Sequence, residues 1–133
     1  MITVCSTCLA QIIGHARAAA PRECCGILIG AGDAVSEAVR ARNVAESSAT
    51  RFQIDPKDHI DARREARQRG LEVLGFYHSH PTSAATPSEI DRALASYPDH
   101  LYLIVGLAVD PPEVRVFAFD NGNFREHPLV TVG

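Results

Sequence analysis

The segment Gly75-Phe76-Tyr77-His78-Ser79-His80-Pro81 carries two histidines, one residue apart, at the end of an apolar run. Side chains alternate across a strand, so His78 and His80 point to the same side with their Cα atoms about 7 Å apart, a span that two imidazoles can bridge onto one ion. A third ligand has to come from outside that strand. Asp91 lies on a helix expected just after the loop 82–86, and Ser88, three residues earlier on it, faces the same way. Two imidazoles and a carboxylate, with a fourth position left for water, form the ligand set of a catalytic zinc site rather than a closed structural one. Such an ion lowers the pKa of its water, and hydrolysis then needs a carboxylate to carry the proton to the leaving amine. Glu23 is the candidate. It sits in Pro21-Arg22-Glu23-Cys24-Cys25-Gly26, beside an apolar run where packing gives an acid no reason to be. Ser88 can supply a hydroxyl donor to the oxyanion of a tetrahedral intermediate.

These residues need a strand end, a loop and a helix start to bring them together, and the pattern along the chain supplies each. Leu9, Ile12, Ile13 and Ala16 recur at i, i+3, i+4 and i+7, with Ser6 placed to cap and Pro21 to stop, which predicts an amphipathic first helix. Residues 24–29, closed by Gly30-Ala31-Gly32-Asp33, and Ala34–Ala41 predict a hairpin. After a loop at 46–50, residues 51–54 suit a brief strand before Asp55-Pro56 opens a helix that Gly70 ends. Residues 71–78 predict a buried strand, and 101–109 and 114–119 two more, the last entering an Asp120-Asn121-Gly122-Asn123 hairpin turn. Thr86-Pro87-Ser88-Glu89 has the spacing of a capping box, so a helix is expected over 87–96, ended by Pro98. No internal repeat or linker interrupts the order. Residues 1–133 are therefore expected to form one domain of the α/β (α+β) class, a mixed β-sheet flanked by helices.

Composition narrows the function classes. With 133 residues, 46% hydrophobic and 22% charged, the chain matches an ordinary globular domain and excludes a disordered or fibrous one. Its longest apolar run, 101–109, falls well short of the roughly 18 residues that cross a bilayer, so no membrane partner is expected. The N-terminus has no basic segment followed by an apolar stretch and a cleavage site, so a cytoplasmic location is expected. A net charge of −3 gives no field to attract nucleic acid. Arg63, Arg64, Arg67 and Arg69 are expected on a solvated helix face, with Glu65 placed to support Arg69. Cys24 and Cys25 are adjacent, and Cys5 and Cys8 form a C-x-x-C with no second pair, so all four are expected as reduced structural thiols. His15, His59, His100 and His127 stand alone and receive no role, and Phe76 and Tyr77 are expected in the core.

Taken together, the chemistry-bearing residues resemble the JAMM metallopeptidase family, also called MPN-plus. Its pattern is a Glu, then H-x-H-P with seven residues between the second His and a Ser, then two more and an Asp, and this chain has Glu23, His78-Ser79-His80-Pro81, Ser88 and Asp91 at that spacing. Glu23-Cys24-Cys25-Gly26-Ile27-Leu28-Ile29-Gly30 is also similar to the family's E-x-C-G strand. The resemblance implies a deaminase-like JAMM/MPN fold, one Zn2+ per chain on His78, His80 and Asp91, Glu23 as general base and acid, and Ser88 at the oxyanion. It implies cleavage of a peptide or isopeptide bond that follows the C-terminal tail of ubiquitin or a ubiquitin-like protein, here expected to end in Gly-Gly. Eukaryotic deubiquitinases of the family carry insertions that grip ubiquitin, whereas only the five residues 82–86 separate H-S-H-P from the next helix here. The short form is similar to prokaryotic members acting on ubiquitin-like or sulfur-carrier proteins, which are the implied partner. Recognition is expected to come from an extended tail added along a sheet edge that leads to the metal, with glycines favoured at the scissile bond. Three rivals compete: an inactive MPN-type interaction scaffold, which typically lacks the ligands present here; a non-haem iron oxygenase; and a zinc deaminase, which would want a P-C-x-x-C that this chain lacks.

Overall fold

The helical spacing near the N-terminus folds as its pattern predicts: α1 spans Ser6–Ala19 and buries Cys8, Ile12 and Ala16. The computed structural model describes residues 1–95 and 97–133. Ahead of α1, Ile2–Cys5 forms a strand, β1, too short to announce itself by alternation. Cys5 rather than Ser6 is the N-cap, its Sγ accepting from the Cys8 N–H at 3.2 Å. Cys5 and Cys8 are not reduced thiols but a disulfide, which the first helical turn permits by bringing their Cα atoms to 5.2 Å. Cys24 and Cys25 are free and buried.

The elements that follow are β2 (Cys25–Ala31), β3 (Ala34–Ala41), α2 (Pro56–Gln68), β4 (Glu72–His80), α3 (Glu89–Leu94), β5 (Leu101–Gly106), β6 (Glu113–Asp120), β7 (Asn123–His127) and β8 (Leu129–Val132). The strand expected over 51–54 reduces to a single bridge between Asn43 and Ile54. That expected over 101–109 stops at Gly106, ahead of Pro111 and Pro112, which have no N–H to extend a ladder. Asn121 and Gly122 both take positive φ, 49° and 77°, as a two-residue turn between β6 and β7 requires. The helix expected over 87–96 is shorter and starts later. Ser88 is its N-cap, and the capping box is Ser88 with Asp91 rather than Thr86 with Glu89. Ser96, the expected last residue, lies outside the described residues.

All eight strands form one mixed sheet in the order β7-β6-β5-β4-β2-β3-β1-β8, with β4 beside β5 and β1 beside both β3 and β8 running parallel. A helix covers each face. On one side Val4, Cys8, Ile12, Ala16, Leu28, Tyr77 and Leu103 pack around α1. On the other, Cys25, Ile27, Ala62, Ala66, Phe76 and Tyr102 pack under α2. Burial of this much apolar side-chain area on both faces is the main force holding the sheet in place. Two β-bulges re-phase the sheet: Leu74 in β4 and Ser36 in β3 are each an extra residue opposite β2, where the register shifts. As a result Val73 and Phe76, three apart, both face α2. Phe76, His78 and His80 then follow on that same face by simple alternation. Among the described residues, no helix is long and apolar enough to cross a membrane.

The arginine-rich helix is only partly a solvated face. Arg69 pairs with Glu37 of β3 and lies 3.9 Å from Glu65. Arg63 instead donates to His59 at 2.8 Å and lies 3.0 Å from a His100 ring nitrogen, so those two histidines do not stand alone. His15 likewise meets the Tyr77 hydroxyl at 2.7 Å.

Candidate active site

The centre of the sheet places His78 and His80 at the end of β4, buried at 1% and 4% exposure. Their Nε2 atoms lie 3.2 Å apart. Asp91, delivered by the first turn of α3, sets its Oδ2 3.2 Å from His78 Nε2 and 2.9 Å from His80 Nε2. Bond lengths of about 2.0–2.1 Å around a tetrahedral zinc place neighbouring ligand atoms about 3.3 Å apart, so these three atoms already stand close to the required triangle. The donor set and its geometry fit the ion. His80 Nδ1 lies 2.8 Å from the Ala84 carbonyl, which fixes the ring and turns Nε2 inward. His78 is held by stacking on Phe52, with ring centroids 4.3 Å apart.

Ser88 and Asp91 close the capping box around the same oxygen. The Ser88 N–H donates to Asp91 Oδ2 at 2.9 Å, and Ser88 Oγ accepts from the Asp91 N–H at 3.0 Å. Because Ser88 Oγ acts as acceptor in the cap, its own proton remains available for a substrate oxygen.

Glu23 precedes β2, and the pairing of Cys25 with His78, continued by the Ser79 N–H to the Cys24 carbonyl at 3.2 Å, sets it across from His80. The Cys24 N–H also donates to Ser79 Oγ at 2.8 Å. The β3–α2 connection secures its other side: the Glu23 N–H donates to the Ser48 carbonyl at 2.7 Å, and Asn43 Nδ2 donates to the Glu23 carbonyl at 3.0 Å. Glu23 is 6% exposed, and its Oε1 is buried with no hydrogen-bond partner among the described residues. A buried carboxylate oxygen without a partner costs stability and points to work on a substrate or solvent molecule.

Electrostatics separate the four titratable groups. Burial pushes Glu23 up to about 7, with His80 pulling it down and Asp91 pushing it up. Burial alone would raise Asp91, but the hydrogen bonds from His78 and His80 hold it well below the usual carboxylate range. Burial lowers His78. His80 is also opposed by burial, yet its bonds to Asp91 and the Ala84 carbonyl leave it above the ordinary imidazole value. Carboxylates pushed in opposite directions within one site are the arrangement from which acid and base roles are drawn.

A cleft of about 780 Å³ opens beside this centre, walled in part by Arg51, Phe52, Gln53 and His59 over a floor of Phe76 and Tyr102. Phe52 is shared between cleft and metal cluster, and Phe76 is one strand step from His78 on the same face. The histidines do not stand at the expected sheet edge. β4 lies between β5 and β2, and the two edges of the sheet, β7 and β8, are remote from the histidines. No periodicity or motif marks Phe52, Asn43 or the cleft in the sequence, because all of them depend on an irregular connection.

Residues 6–120 match Prok-JAB, the prokaryotic homologs of the JAB domain. The chain belongs to this family. This JAB-domain chain is similar to the desampylase of Haloferax volcanii, 39% identical over 124 residues that cover 87% of this chain and 86% of the relative. It is 31% identical over 125 residues to the CysO-cysteine peptidase of Mycobacterium tuberculosis, covering 91% and 84% of the two chains. The solved structure of protein DSY2949 from Desulfitobacterium hafniense superposes with a TM-score of 0.90 at 33% identity, over 99% of this chain and 93% of that one. The JAB-domain protein is thus placed among peptidases, and its His78, His80 and Asp91 form a buried cluster that could hold a metal ion.

Proposed function

We propose that this protein hydrolyses the bond after the C-terminal Gly-Gly of a ubiquitin-like or sulfur-carrier protein, with His78, His80 and Asp91 holding one zinc, Glu23 as general base and acid, and Ser88 as oxyanion donor. The observation that carries it is the convergence of two imidazole nitrogens and one carboxylate oxygen within 3.2 Å, across from a buried, unpartnered Glu23 oxygen. When bound, zinc supplies Lewis acidity and a water of lowered pKa. Glu23, held near neutrality, takes a proton at Oε1 and returns it to the leaving nitrogen. Ser88 donates its free hydroxyl proton to the developing oxyanion, while its backbone N–H keeps Asp91 in place. The Ala84 carbonyl orients His80 through Nδ1, and Phe52 orients His78.

Two relatives are named desampylase and CysO-cysteine peptidase, and the cleft suits the extended tail of a carrier. A tail lying in the cleft meets the histidines past Phe52, where glycines allow close backbone approach. The reading also takes residues 1–133 as one catalytic domain, on the strength of the single sheet.

The test is a panel of ubiquitin-like sulfur carriers ending in Gly-Gly and extended by one amino acid, incubated with the zinc-loaded protein and read by mass spectrometry. Release of that amino acid is expected, with loss of cleavage when either glycine is changed to Ala. Equal cleavage of the Ala carriers, or of unrelated unfolded peptides at the same rate, would rule out the specificity.

Ser88→Ala should lower kcat by about 10² to 10³ with KM little changed, as expected for a donor used mainly in the transition state. The lost cap adds a stability cost of about 1 kcal/mol. Steady-state kinetics and a thermal melt measure both, and a change confined to KM would contradict the oxyanion role.

A further inference from the structure

His80 is held at both ring nitrogens, and the hold on Nδ1 leads away from the metal cluster. Its partner, the Ala84 carbonyl, belongs to the connection between β4 and α3. The next residue, Ala85, is fully buried at 0% exposure, so its N–H has no solvent to turn to. It donates to Glu113 Oε1 at 2.9 Å. Glu113 opens β6 directly opposite Gly106 of β5. A Cβ at position 106 would stand 2.7 Å from the Ala85 nitrogen and 3.0 Å from the Ser83 carbonyl oxygen, so the connection rests on bare backbone there. Glu113 is itself braced: its Oε2 accepts from Arg115 Nη2 at 2.9 Å and Nε at 3.1 Å, and Arg115 also reaches Glu126 at 3.4 Å.

We propose that Glu113 is a positioning residue of the metal centre, acting through the Ala85 N–H and the Ala84 carbonyl to fix the ring of His80. The inference rests on the reading of His80 as a zinc ligand. A metal-bound imidazole works best when its far nitrogen donates to a fixed acceptor, which sets the tautomer and aims the other lone pair at the ion. Remove Glu113, and the buried Ala85 N–H loses its acceptor; the connection must shift to find another, and the Ala84 carbonyl moves with it. Partners of this outer kind are worth 10- to 100-fold in metal affinity. Glu113 acts one peptide further out, so about tenfold is expected.

The test compares full-length wild type, Glu113→Ala and Glu113→Gln by competition for zinc with a chromophoric chelator, and by nitrogen-15 spectra of the His80 ring in the zinc-loaded proteins. Zinc should dissociate about tenfold more readily from the Ala variant, and its Nδ1–H signal should broaden through exchange. The Gln variant keeps an acceptor, and Arg115 has Glu126 to turn to, so affinity and signal should stay near wild type. Should the Ala variant fail to fold, Glu113→Met fills the same space without an acceptor and makes the same comparison. Unchanged zinc affinity in the acceptor-less variant overturns the proposal. So does a drop in Tm shared equally by metal-free and zinc-loaded forms with no change in affinity, which assigns Glu113 to the fold alone. A wild-type chain that takes up no zinc would instead overturn the ligand assignment itself, and this role with it.

Discussion

Glu23→Gln should leave zinc bound and the chain folded while lowering kcat by roughly 10² to 10⁴, the usual worth of a general acid–base group. The amide fits the same space but cannot take a proton from water. Retention of wild-type kcat would move the base elsewhere. The same substitution should stabilise the metal-free protein under alkaline conditions. Burial raises Glu23 from 4.5 to about 7. A carboxyl whose pKa is higher in the fold than in the unfolded chain contributes stability below 4.5 that is lost as pH rises through about 7. At about 1.4 kcal/mol per pKa unit, the ionised carboxylate costs the fold about 3 kcal/mol at alkaline pH, a cost that the amide avoids. Thermal melts of the metal-free proteins should therefore diverge at about pH 8 and coincide at about pH 4. Coincident melts at both would mean that the carboxylate is solvated in the fold.

His78→Ala, His80→Ala and Asp91→Ala should each take the zinc content from about one per chain to near zero under dialysis, and activity with it, since three protein ligands are the minimum for a tight catalytic site. Metal analysis of the purified variants decides the matter, and full retention by all three would sink the assignment. The affinity of the wild type should also fall on acidification. His80 holds its proton above the ordinary imidazole value because Asp91 and the Ala84 carbonyl accept from it, and zinc has to displace that proton. Affinity is thus highest above that value and declines as pH drops through it.

The cluster of His78, His80 and Asp91 was legible because it needs only local geometry. Alternation along one strand brings His78 and His80 together, and the i, i+3 spacing of one helical turn pairs Ser88 with Asp91. Glu23 was visible as an acid with no packing reason to be there, although only the β2–β4 ladder shows it facing His80. The capping box was misplaced by two residues because Thr86 and Ser88 both satisfy the same pattern, and the competition was decided by Asp91 having two histidines to meet. Strands β1 and β8 carried no signal: each has four residues and owes its form to a neighbour rather than to alternation. The C-x-x-C pair of Cys5 and Cys8 reads as reduced in the sequence because their closeness exists only once the helix has turned. Phe52 and the cleft belong to a connection whose path is set by bonds such as Asn43 to the Glu23 carbonyl, which no local pattern encodes. The same holds for Glu113, distant in sequence from the loop it grips.

The two bulges at Leu74 and Ser36 divide β2 into halves with different duties. From Cys25 to Leu28 its ladder with β4 is unbroken, and this is the stretch that aligns Glu23 with the histidines. Beyond it, the register has already slipped against both neighbours, so a length change in the 30–33 turn has a place to be absorbed before it reaches the end of the strand beside Glu23. The tip of this hairpin is therefore a mechanically insulated port. An inserted peptide, a fluorophore or a fused partner there should leave the alignment of Glu23 with His78 and His80 as it is, whereas one residue added between Glu23 and Leu28 would turn Glu23 to the wrong face of the sheet.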